Sequence, residues 1–71
     1  MPGIKVNGEA LKTIRERSGY GQTEFAAMVG IDRAYLSHIE AGRRNPSPAV
    51  AKRIAGTLKM PLAAILAEVA V

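Results

Sequence analysis

Between Arg33 and Arg53 the chain carries five basic residues and one acid, Glu40, a local charge of +4. That equals the formal charge of all 71 residues, ten Lys+Arg against six Asp+Glu. The chemistry open to such a stretch is recognition of a polyanion. An arginine fork can donate to guanine O6/N7 or to two oxygens of one phosphate. A sequence pI near 10.0 points to the same partners, nucleic acid or an acidic surface. A merely soluble basic domain would carry the same charge. Other chemistries lack their residues. With no Cys, disulfides, thiolate metal sites and Cys nucleophiles are excluded. His38 is the one histidine and cannot build a His-rich metal site alone. No nucleophile–base pair stands out, so the reading is no enzyme, no metal and no cofactor.

The elements that must hold these residues are short helices, and the whole chain, 1–71, reads as one all-α domain. A chain this small buries only about 60% of its unfolded surface, but 48% hydrophobic residues argue against disorder. Asn7 is a candidate N-cap, with Val6 and Leu11 placed as a hydrophobic staple. Ala10, Leu11 and Ile14 then give one apolar face, and Gly19 stops the helix, for a first helix at about 8–18. Phe25, Ala26 and Val29 mark a second at 22–29. Gly30 turns the corner, and Asp32 caps a third at 33–41 with Leu36 and Ile39 inward. Ser47 followed by Pro48 opens a fourth at 48–59, striped by Val50, Ile54 and Leu58. Pro61 starts a fifth at 61–69, carrying Leu62, Ile65, Leu66 and Val69. Ile4-Lys5-Val6 is too short to read as a strand. Phe25, Ala26, Met28, Val29, Leu36, Ile39, Val50, Ile54 and Leu58 form the expected core, and Tyr20 is expected at the corner of helices one and two. No repeat, signal peptide or membrane span is read. The longest weakly charged stretch, 61–71, is well short of the roughly 20 residues a spanning helix needs.

Helices two and three, with Ala26 small where the helices cross and Gly30 at the turn, have the make-up of a helix-turn-helix unit. Three stretches, LKTIRERSG, GQTEFAAMVGI and LSHIEAGRRNPSP, resemble the lambda-repressor-like, Cro/XRE-type helix-turn-helix DNA-binding domains. The resemblance runs from about Leu11 to Leu66. Gly21 departs from the Ser or Thr usual at the second cap, and Tyr35 is bulkier than the usual residue. The resemblance implies that helix three lies in the major groove, with Arg33, Ala34, Ser37 and His38 toward base edges. Arg33 suits guanine and Ala34 suits a thymine methyl. Phosphate contacts are expected from Gln22, Tyr35, Arg43, Arg44 and Asn45. Gln22 opens helix two, where backbone N–H groups and the dipole already favour an anion. Lys52 and Arg53 are weaker candidates. The family also implies that Glu40 pairs with Arg15, tying helix one to helix three and hiding a negative charge.

One such module buries about 600–1,000 Å² on DNA, enough for modest affinity only. A homodimer reading a palindrome, with half-sites roughly 34 Å apart, is therefore expected. PLAAILAEVAV carries a single charge, Glu68, and Leu66, Val69, Ala70 and Val71 are its candidate interface. The function implied is a sequence-specific transcriptional regulator acting on double-stranded DNA in the cytoplasm, at the nucleoid. At this length, with no sensor or oligomerisation domain read, a repressor of phage or bacterial type fits: Cro-like, an immunity repressor or a restriction–modification controller. Alternatives are a DNA-binding antitoxin, which would also bind a toxin protein, and a protein-interaction module on the same fold. The latter would not need Arg33, Arg43, Arg44 and Gln22 on one side. No membrane partner is expected.

Overall fold

A computed structural model describes residues 5–67, and three of its four α-helices start where a side chain can serve the first-turn amides. Asn7 Oδ1 accepts from Ala10 N at 3.0 Å and opens α1, Gly8–Arg17. Asp32 Oδ2 accepts from Ala34 N at 3.1 Å and opens α3, Arg33–Glu40. Ser47 Oγ accepts from Val50 N at 3.3 Å and opens α4, Pro48–Thr57. The exception is α2, Gln22–Val29, whose cap Gly21 offers no side chain. Such caps contribute about 1 kcal/mol each, which matters in a domain whose stability is small. Between α2 and α3, Gly30 takes φ +84°, a left-handed conformation that costs glycine no Cβ clash. Only Ile31 then separates it from the cap of α3, so the two helices meet at a sharp corner.

Leu11, Phe25, Leu36, Ile39, Ile54 and Ile65 are fully buried and come from every element. Ile14, Tyr20, Ile31, Val50, Leu62 and Leu66 pack partly buried around them. Tyr20 meets Phe25 with ring centroids 5.9 Å apart. Met28, read as core, is instead 47% exposed. Phe25, Ala26 and Val29 define the inward side of α2, and at 100° per residue Met28 sits roughly 110° away from its centre.

The second departure is at the C-terminal end. α4 stops at Thr57, and Lys59 is left-handed at φ +57°. A single 3₁₀ turn, Leu62–Ile65, stands where a helix over 61–69 was expected. Leu66 then goes extended, φ −88° and ψ 145°, and forms an isolated antiparallel bridge with Val6. The apolar spacing of Leu62, Ile65 and Leu66 suits a helix, but pairing with a distant segment offers the backbone another partner. Among the described residues this bridge is the only strand-like pairing. Residues 68 and 69 lie outside the described residues. No helix of the described chain is long and apolar enough to cross a membrane.

The start of α1 packs closely against the end of α3. Gly8 is the first residue of α1, and a Cβ there would overlap the carbonyl oxygens of Ile39 and Glu40. The positive end of α1 thus lies beside the negative end of α3, which brings partial charges of opposite sign together.

Candidate nucleic-acid interface

The site is built on α3. Its inner side chains, Leu36 and Ile39, are 0% and 1% exposed, which fixes the rotation of the helix. Arg33, Ala34 and His38 are consequently exposed, and Ser37 is half-buried. Arg43 and Arg44 follow the helix, with their backbone N–H groups donating to His38 O at 2.9 and 3.2 Å. Both side chains are exposed. The Arg44 guanidinium lies 5.4 Å from the Tyr35 ring centre, within cation–π range. Tyr35 is half-buried against the core, so its ring gives Arg44 a fixed platform. Lys52 and Arg53 are exposed on α4.

Behind this surface lies a buried ion pair. Arg15 Nε donates to Glu40 Oε2 at 2.6 Å, and Arg15 Nη2 to Glu40 Oε1 at 3.0 Å. A third donor, Arg15 Nη1, reaches Tyr20 O at 2.8 Å. Arg15 and Glu40 are only 6% and 8% exposed. Their two-pronged geometry satisfies the charges that burial would otherwise leave uncompensated. The hydrogen bond from Arg15 to Glu40 raises the arginine pKa above its ordinary value, against the opposing effect of burial. Among the described residues no buried side-chain N or O lacks a partner.

The pair extends outward through Gln22. Its Nε2 donates to Glu40 Oε1 at 3.1 Å, and its Oε1 accepts from Arg33 Nη1 at 3.4 Å. The order of donors and acceptors fixes the amide, since reversing it would face oxygen to carboxylate and NH₂ to guanidinium. Gln22 therefore bridges the core pair to the first residue of α3. Its carbonyl faces another cation, a role the amino-acid type alone did not reveal. Asn45 is exposed, and its Oδ1 accepts from Val6 N at 2.8 Å. Leu66 is half-buried against the core, whereas Val69, Ala70 and Val71 lie outside the described residues.

A helix crossing over a capped, outward-facing second helix, with arginines at both ends of it, is the arrangement of a helix-turn-helix unit. The model of the family described as helix-turn-helix matches residues 11–65. The chain belongs to this family, in its lambda-repressor-like, Cro/XRE-type branch. Control protein C.MunI of a Mycoplasma species is 35% identical to this helix-turn-helix protein over 71 residues, covering 97% of this chain and 96% of that one. An HTH-type transcriptional regulatory protein of Pyrococcus horikoshii is 37% identical over 59 residues, 83% of this chain. The helix-turn-helix chain spans about a fifth of that protein, 19% of its length. Among solved structures, the restriction-modification controller protein C.AhdI from Aeromonas hydrophila superposes with TM-score 0.77 at 30% identity. The match covers 80% of this chain and 86% of that one. The biofilm regulator SinR, in complex with DNA, superposes with TM-score 0.74 at 30% identity, covering 79% and 90%.

Proposed function

We propose that the chain is a sequence-specific DNA-binding transcriptional regulator, acting in the cytoplasm as a homodimer on a two-fold symmetric operator. The observation that carries this reading is the division of α3. Its apolar side is buried, while Arg33, Ala34 and His38 stand exposed together, flanked by Arg43 and Arg44. Arg33 offers its fork to guanine, Ala34 meets a thymine methyl, and Ser37 and His38 read neighbouring edges. Arg43, Arg44 and the uncapped first turn of α2 hold phosphates. Gln22 assists by holding Arg33 rather than by acting as a lone donor. The near end-to-end likeness to C.MunI, with the likeness to C.AhdI, favours a restriction–modification controller among the repressor types.

Selection from random duplex pools at two salt concentrations tests this. A two-fold symmetric site should be enriched. Affinity should fall by about 10³–10⁵ between 50 and 200 mM salt, as expected for six to ten phosphate contacts. Absence of duplex binding would overturn the reading and favour the protein-interaction alternative.

The dimer is assigned to the C-terminal segment. Met60 is 38% exposed, Ala63 and Ala64 are exposed, and Leu66 is half-buried, so the end of the described chain presents apolar surface, and the proposed interface adds the apolar residue types Val69, Ala70 and Val71. Shortening the chain after Ala67 keeps Ile65, which is fully buried. The shortened protein is expected to sediment as a monomer and the full chain as a dimer. Equal masses would move the interface elsewhere.

A further inference from the structure

One short segment outside the family-matched residues is held from both edges. On one edge, Asn7 N donates to Ile65 O at 2.7 Å and Ala67 N donates to Lys5 O at 2.9 Å. These two bonds make the bridge between Val6 and Leu66. Extended backbone alternates its hydrogen-bonding direction, so the Val6 N–H faces the opposite edge. There it donates to Asn45 Oδ1 at 2.8 Å. The Val6 side chain is 8% exposed and belongs to the core, so the segment cannot slide without uncovering apolar surface.

Asn45 lies in the loop that carries Arg43 and Arg44. The start of that loop is anchored by the two bonds to His38 O, and Arg44 rests on Tyr35. Pro46, just after Asn45, is fully buried. The bond to Val6 fixes the exposed stretch between these anchors. An amide oxygen only accepts, and a phosphate at neutral pH offers only acceptors. Oδ1 therefore has nothing to give a phosphate, and its chemistry suits the backbone N–H that it holds.

We propose that Asn45 serves DNA binding as a positioning residue: through Val6 it sets the path of the Arg43–Arg44 loop. Residues 5–7, and the segment 65–67 behind them, thereby belong to the DNA-binding apparatus without touching DNA. The inference rests on the DNA-binding reading above. It adds that a change at the N-terminal segment is felt at the phosphate-facing loop.

The test compares Asn45→Ala with a synthetic full-length chain in which the Val6 amide is replaced by an ester. The ester removes the donor N–H and leaves every side chain, Asn45 included, in place. It also weakens the Lys5 carbonyl, an acceptor of the same clasp. Both are expected to bind the selected duplex about three- to tenfold more weakly, the range that one net hydrogen bond commands. Combined, they should lose no more than either alone. Circular dichroism and sedimentation establish that fold and oligomeric state match the wild type. An ester chain that binds like wild type while Asn45→Ala weakens would show Asn45 acting by contact, and would overturn the inference alone. Additive losses would overturn it too. A wild type that binds no duplex would overturn the DNA reading and this inference together. Amide exchange in the DNA-free protein gives an independent measure. Asn45→Ala should speed exchange at Val6, Arg43 and Arg44, and unchanged rates at the two arginines would sink the proposal even if the ester chain fails to fold.

Discussion

Glu40→Ala is expected to leave the protein close to half unfolded at room temperature. The substitution strands Arg15, 6% exposed, with a charge that has lost two of its three hydrogen bonds. Breaking one side of a buried pair costs about 3–5 kcal/mol. A single core in a chain under about 70–80 residues seldom supplies more than that. A thermal melt followed by circular dichroism should show the midpoint falling by on the order of 15 °C or more. A melt within a few degrees of wild type would show that the pair contributes nothing. Replacing both partners, Arg15→Leu with Glu40→Leu, should recover much of the loss, because the desolvation cost disappears with the charges. DNA binding should suffer beyond the folding defect. Gln22 Nε2 loses the acceptor that orients it, and Gln22 Oε1 is what holds Arg33.

Gly8→Ala should be comparably severe, although it adds only one methyl group. The atoms in its way are the backbone carbonyls of Ile39 and Glu40, which cannot rotate aside as a side chain would. The first turn of α1 would have to lift off the end of α3. That shifts Arg15 relative to Glu40, so overpacking of about 1–3 kcal/mol adds to damage in the ion pair. A drop of about 10–20 °C in the midpoint is expected at 4–8 °C per kcal/mol. Gly56→Ala is the matched control, since a Cβ at Gly56 meets nothing within 4 Å. It should be neutral or slightly stabilising, as alanine is the better helix former. Equal melts for the two variants would contradict the close approach of α1 and α3.

The helices were legible because their signals are local. Asn7, Asp32 and Ser47-Pro48 are caps whose chemistry acts within three residues. The inward stripe of Leu36 and Ile39 alone turns Arg33 and His38 outward. What escaped the sequence depends on distant partners. Gly8 sits at an unremarkable helix start, and only the carbonyls at the end of α3 explain it. Leu66 keeps helical spacing with Leu62 and Ile65 but is drawn extended by Val6. Met28 is apolar, yet the inward side of α2 was already filled by Phe25, Ala26 and Val29. Gln22 and Asn45 have donors and acceptors that suit DNA as well as protein, so residue type alone could not apportion them. The resemblance to known domains named the Arg15–Glu40 pair. The link from that pair through Gln22 to Arg33 needed geometry.

The bridge between Val6 and Leu66 also has a topological consequence. Lys5 and Ala67 are hydrogen-bonded neighbours, so the polypeptide leaves the helices at the point where it enters them. Joining the two sides through a short linker would close the backbone into a ring without moving a helix. That ring would restrict the unfolded chain and so favour the folded one. For the same reason the domain can be spliced into a surface loop of a host protein, since a single opening in the host accommodates both of its connections.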